Sequence, residues 1–187
     1  GGDLLVKAAA ELKNKPFTFL IAGKGKLKQH LENLIKQYAV EDNVKLVGFL
    51  ENALPFLKSV DIVVQPSRYE GMPNTVMESM VLGKPIIATE VNGVKELVQN
   101  GVNGFSIPPE SVSDLTAMLQ KVAALPDLKK IGQAGQETIA RDYSIERMID
   151  HLETYFGRKF NEFYEKYNPG VSRQSETFSA ESNTSYI

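Results

Sequence analysis

The sequence holds no cysteine. A thiol nucleophile, a cysteine-based zinc site and a disulfide framework are all excluded. Histidine is scarce: His30 and His151 are the only two. They stand far apart in helix-like segments, and neither has a second metal ligand at a recognisable spacing. Both read as surface or packing residues, and no metal site is expected. No apolar run approaches the length of a membrane span. Neither sign of charge dominates, since 21 Lys and Arg against 23 Asp and Glu leave a formal net charge of −2. That balance argues against a generic polyanion binder and against nucleic acid as a partner, with a local basic patch left open. No leader peptide is visible. The first residue is not methionine, so that absence carries no weight.

What is present is an ordinary globular composition. The chain has 187 residues, of which 42% are hydrophobic and 24% charged, enough to bury a core without disulfides or metals. Short apolar runs alternate with longer amphipathic stretches. Strands are predicted at FTFLIAG (17–23), NVKLVGF (43–49), DIVVQPS (61–67), PIIAT and GFSIP. The Ile-Val-Val run of the third is continuous, as in a strand covered on both faces. Helical spacing appears in Leu27, Leu31, Leu34, Ile35 and Tyr38, in ALPFLKSV, in NTVMESMVLG, in VKELVQN and in three longer C-terminal segments. Pro73 is expected in the first turn of the NTVMESMVLG helix and Gly83 at its end. Ser111 and Asp114 are spaced as a helix cap. Alternation of this kind means right-handed βαβ units and a mostly parallel sheet. The aromatics Tyr155, Phe156, Phe160, Phe163, Tyr164 and Tyr167 are expected to pack within helices. Residues 168–187 change composition and are expected to form a disordered tail.

Parallel strands carry their C-terminal loops to one edge, where open α/β sheets bind ligands. Gly23-Lys24-Gly25, Gly48-Phe49-Leu50, residues 67–74, and Thr89 with Asn92-Gly93 all fall there. In the third loop, Gly71 permits close backbone approach. The amides near Asn74 and Thr75, at a helix start, lack intrahelical acceptors and suit a phosphate or sugar oxygens. Glu70 lies just outside that helix and Glu78 one turn inside it. Two carboxylates beside an anion site make sense as acceptors for sugar hydroxyls. Spacing alone equally admits a loop-surface acid at Glu70 and a solvated helix residue at Glu78.

The segment RYEGMPNTVMESMVLGKPIIAT resembles the E-x7-E segment of retaining GT-B glycosyltransferases, the family 4 (group 1) class. GGDLLVKAAAEL, FLIAGKGKLKQHLENL, VKLVGFLENALPFLKSVDIVVQPS and NGVKELVQNGVNGFSIPPESVSDLTAML resemble further segments of that family, in order, over residues 1–155. The resemblance implies a Rossmann-like, doubly wound parallel sheet with C-terminal helices, the C-terminal domain of a GT-B fold. Residues 1–167 would be a donor-binding domain lacking its first strand. The implied activity is transfer of a sugar, of hexosyl type, from a nucleoside diphosphate sugar with retained anomeric configuration.

By resemblance, Glu70 would bond hydroxyls of the transferring sugar, and Glu78 those of the ribose. The Gly71, Met72 and Asn74 amides would hold sugar hydroxyls or the distal phosphate, with Thr75 close by. Phe49 and Leu50 would line the base pocket, and Gly23 and Gly25 would let the nucleotide pass. Lys24 could touch a phosphate or be solvated, with solvation favoured; Arg68 and Tyr69 receive no role. No cofactor is implied beyond the donor, and the acceptor would be a saccharide or lipid-linked saccharide. The resemblance further implies a cytoplasmic protein, or one at the cytoplasmic face of a membrane. Family members hold the diphosphate with an Arg on an earlier strand and the Lys of a Lys-Gly pair. Gly1 aligns with that glycine, so both cations and the acceptor-binding domain would precede this chain, which alone is expected to be inactive. The earlier strand would sit between FTFLIAG and DIVVQPS. Alternatives are a non-catalytic nucleotide-binding module, or an epimerase or phosphorylase of the same fold. The register of the acids disfavours both enzymes, and no pyridoxal phosphate lysine can be placed.

Overall fold

The computed structural model describes residues 1–167; the expectation for residues 168–187 lies outside them. Two units are present, Gly1–Ser144 and a second that begins at Ile145.

In the first unit, strands and helices alternate as expected. The order is α1 (Gly2–Glu11), β1 (Phe19–Ala22), α2 (Lys28–Gln37), β2 (Val44–Gly48), α3 (Leu54–Ser59), β3 (Val63–Gln65) and α4 (Asn74–Val81), followed by β4 (Ile86–Thr89), α5 (Val94–Leu97), β5 (Phe105–Ile107), α6 (Val112–Ala123) and α7 (Leu128–Asp142). Helix α1 comes from the segment quoted above only for its resemblance. Its Leu4, Leu5, Val6, Ala8 and Ala9 are buried, and this apolar face explains why the segment is helical.

All strand pairs are parallel: β1 with β2, β3 with β4 and β4 with β5. They form two ladders, β1-β2 and β3-β4-β5. Among the described residues β1 and β3 do not pair with each other. The two ladders nevertheless share one apolar layer. Phe19 and Val44 from the first and Ile87, Phe105 and Ile107 from the second pack with Leu4, Leu5 and Val6 of α1, with Leu12 just after it, and with Leu115, Leu119 and Val122 of α6. The opposite face of the second ladder, with Val63, Ile86 and Ala88, packs with Val76 and Met80 of α4, Val94 and Leu97 of α5, and Ile139 of α7. Alternate residues of β4 thus enter opposite layers, as the pleat requires, and the arrangement is doubly wound. Burying a side chain such as Ile86, Ile87 or Met80, none of which is accessible to solvent, contributes about 1.5–3 kcal/mol each.

Local signals account for several boundaries. Ser111 caps α6 by accepting from the Asp114 amide at 3.2 Å, as its spacing predicts. Pro73 differs from expectation. It occupies the N-cap in an extended conformation, φ −77° and ψ 106°, and the helix begins at Asn74. Gly83 ends α4 as expected, with φ +65°. There α7 approaches so closely that a Cβ on Gly132 would lie 1.9 Å from the Gly83 carbonyl oxygen.

The second unit contains α8 (Ile145–Tyr167), none of whose residues is buried. The expectation of aromatic packing is corrected here: Tyr155, Phe156, Phe160, Phe163 and Tyr167 are all exposed. Rings at helical spacing do meet along the helix, as with Phe163 and Tyr167, whose centroids are 4.6 Å apart.

Candidate functional site

The start of α1 lies against both the end of β3 and α2. A Cβ on Gly1 would lie 1.8 Å from the carbonyl oxygen of Pro66, just past β3, and one on Gly2 would lie 3.2 Å from Leu31 of α2, the helix that follows the Gly23–Gly25 loop.

Residues 66–74 carry most of the site. Glu70 is half-buried, and its Oε1 accepts from Gln65 Nε2 at 2.8 Å and from Ser67 Oγ at 2.7 Å. Gln65 Nε2 also donates to Ser67 Oγ at 2.9 Å. The loop beneath is tied to β4, because Thr89 Oγ1 donates to the Ser67 carbonyl. Thr89 is 1% exposed, and a hydroxyl buried to that degree needs such an acceptor.

Arg68 is fully engaged elsewhere. Its Nη1 and Nη2 donate to the two carboxylate oxygens of Asp3 at 2.9 and 2.8 Å, and its Nε donates to Glu110 at 2.7 Å. The fork geometry suits a bidentate carboxylate. The guanidinium holds the Asp3 carboxyl well below its ordinary value, at about 2, and the two carboxylates in turn raise the pKa of Arg68. One side chain thus straps the start of α1 and the loop before α6 to the Glu70 loop. Tyr69, beside it, is 90% exposed.

A second tie comes from Asn92-Gly93. Gly93 has φ +75°, and a Cβ there would lie 1.7 Å from the Gly71 carbonyl oxygen. Only glycine satisfies both the left-handed backbone and that approach. At Gly71 itself nothing lies within 4 Å of where a Cβ would stand, so its outer side is open to a ligand. Met72 and Asn74 are exposed and Thr75 is half-buried. Pro73 accepts from the Val76 and Met77 amides at 3.0 and 3.2 Å, while no side chain caps the helix. The first amides of α4 are thereby available at the positive end of its dipole. Glu78 is half-buried one turn further on.

The other loops are more open. Gly23 and Gly25 have nothing within 4 Å of a would-be Cβ. The Gly23 amide donates to the Gly48 carbonyl at 2.7 Å, joining the ends of β1 and β2. Phe49 is exposed and Leu50 half-buried. Lys24 Nζ lies 4.2 Å from the centre of the Phe49 ring, a cation–π contact between the first two loops. Lys24, expected to be solvated, is exposed and also has this aromatic partner. His30 and His151 are both exposed. A cavity of about 220 Å3 between β5 and α6, lined among others by Ser106, Pro108, Asp114 and Lys121, includes none of the expected site residues.

Sequence reasoning placed Ser67 at the edge without a role and missed Gln65, Asp3 and Glu110. A signal existed for the first: Gln65 is the polar end of an otherwise apolar Ile-Val-Val strand. Asp3 and Glu110 lie far from Arg68 in the chain and left no local trace.

Comparisons with known proteins agree with this fold. The alpha-D-kanosaminyltransferase of Streptomyces kanamyceticus is 31% identical over 157 residues, which are 81% of this chain and 41% of that protein. This chain thus spans about two fifths of the length of such relatives. Among solved structures, a variant of Staphylococcus aureus TarM bound to fondaparinux, alpha-GlcNAc-glycerol and UDP superposes with a TM-score of 0.77 at 25% identity, over 82% of this chain and 32% of that one. Anabaena HepE in complex with UDP shares the fold with a TM-score of 0.76 at 22% identity, over 83% of this chain and 44% of that one. Residues 1–138 match the family described as glycosyl transferases group 1, and the chain belongs to that family.

Proposed function

We propose that this chain is the donor-binding domain of a retaining glycosyltransferase that takes its sugar from a nucleoside diphosphate sugar, with uridine diphosphate as the favoured nucleotide. The observation that carries the reading is the pairing of an ordered carboxylate, Glu70, with the uncapped start of α4 on one open loop. A carboxylate accepts hydrogen bonds from sugar hydroxyls, while amides at a helix start favour the phosphates, so the loop offers complementary groups to both parts of the donor. Glu70 meets the transferring sugar and Glu78 the ribose. Phe49 and Leu50 line the base pocket, and Gly23, Gly25, Gly71, Met72, Asn74 and Thr75 border the phosphates and sugar. The UDP in the TarM and HepE structures supports the choice of nucleotide.

The protein's contribution is positioning and stabilisation of the leaving diphosphate. No residue is assigned as a covalent nucleophile. Because this chain spans about two fifths of its relatives' length, turnover is assigned to the complete protein and donor binding to this part.

The test is a calorimetric titration of the complete protein with uridine and guanosine diphosphates and their sugars, followed by nuclear magnetic resonance of the product's anomeric centre. Binding of a nucleoside diphosphate and a product with the donor's configuration are expected. An inverted product would sink the retaining assignment. A co-structure with the nucleotide at the amino ends of the strands would sink the site.

A further inference from the structure

Glu70 is held by two neutral donors that converge on one of its oxygens. Gln65 Nε2 and Ser67 Oγ both donate to Oε1, and Gln65 also donates to Ser67. The chain of donors is consistent in sense: the amide gives hydrogens to the hydroxyl and the carboxylate, and the hydroxyl passes its own hydrogen to the carboxylate. Oε2 receives neither bond and keeps its acceptor capacity. The nearest cation along the chain, Arg68, is drawn away by Asp3 and Glu110. Neutral donors fix the orientation of a carboxylate through one oxygen, whereas a guanidinium fork would occupy both.

We propose that Gln65 and Ser67 are positioning residues that commit one oxygen of Glu70 to the protein and present the other to a hydroxyl of the donor's sugar. The proposal rests on the reading that Glu70 meets that sugar. The fold does not need these bonds. The Gln65 backbone already pairs with Ala88 in the β3-β4 ladder, and neither side chain belongs to an apolar core layer. Thr89 acts one step further back, holding the Ser67 carbonyl and with it the start of the loop.

The experiment compares Ser67→Ala, Ser67→Thr, Gln65→Glu and Glu70→Ala in the complete protein. It measures kcat with a uridine diphosphate sugar and, separately, affinity for uridine diphosphate alone. Ser67→Ala and Gln65→Glu are each expected to lower kcat about ten- to hundredfold. Their affinity for the sugarless nucleotide should stay within about twofold, since that ligand makes no contact with Glu70. Ser67→Thr, which retains the hydroxyl, should recover most of the rate. Gln65→Glu preserves size, so its loss reports the missing donor and the new repulsion. A parallel fall in affinity for uridine diphosphate would mean that the loop has collapsed and would overturn the proposal. Wild-type kcat in both variants, with turnover lost in Glu70→Ala, would also overturn it while leaving the role of Glu70 standing. Wild-type turnover in Glu70→Ala removes the reading beneath the proposal and the proposal with it.

Discussion

The β3-β4-β5 half of the proposed site and the β1-β2 half are built differently. In the first, the Glu70 loop is tied down from several directions: Gln65 and Ser67 hold the acid, Thr89 holds Ser67, Arg68 straps Asp3 and Glu110, and Gly93 abuts Gly71. In the second, glycine loops and an exposed Phe49 are joined by a backbone bond from Gly23 to Gly48 and one cation–π contact. The difference matches the tasks proposed for each. Reacting groups gain from being placed before the substrate arrives, because reorganisation then costs nothing in the transition state. A base pocket needs surface and adaptability more than fixed geometry.

The largest expected effect tests the ordered half directly. Glu70→Ala should reduce turnover by about a hundredfold, from loss of hydrogen bonds to a charged group worth roughly 1.5–3 kcal/mol. Steady-state kinetics check it. The comparison breaks if the loss appears wholly in nucleotide affinity. Next, Glu78→Ala should weaken nucleoside diphosphate binding by about tenfold and alter kcat much less, as calorimetry and kinetics together would show. A fall in kcat matching that of Glu70→Ala would mean both acids serve the sugar.

The strap gives a smaller effect with a pH signature. The Asp3 carboxyl is held at about 2 by Arg68, below its ordinary 3.8. A depressed carboxylate contributes stability that is fully present above its unfolded value and is lost as pH falls through its folded one. The contribution should therefore fade between about pH 4 and pH 2. After screening at a partly exposed pair, it amounts to about 1–2 kcal/mol. Urea midpoints of wild type and Asp3→Asn, followed from pH 5 to pH 2, should converge. A constant separation would refute the strap as a source of pH-dependent stability. The smallest effect lies in the open half. Lys24→Ala should cost about 0.5–1 kcal/mol of loop order or nucleotide affinity at most. A much larger loss would show that Lys24 binds phosphate and that this half is not as loosely built as its contacts indicate.

The chain's local patterns determined the elements and the place of the proposed site. Apolar runs alternating with helical spacing specified the βαβ order, because burial periodicity acts within a few residues. The Ser111 cap followed from a spacing of three, and the topology of parallel strands predicted the glycine loops and both acids at one edge before any contact was known. Only the tertiary structure decided what holds them there. Arg68 finds Asp3 and Glu110 across distant parts of the chain. Gly93 is constrained by a carbonyl from another loop. The orientation of Glu70 depends on how β3 ends against β4. The same holds where expectation failed. Pro73 became a cap instead of a first-turn residue, and the aromatics of α8 other than Tyr164 proved exposed, because spacing identifies an apolar face without naming its partner. Local patterns arise from neighbours a few residues apart, whereas hydrogen-bond partners and close approaches depend on where the packed layers bring distant segments together.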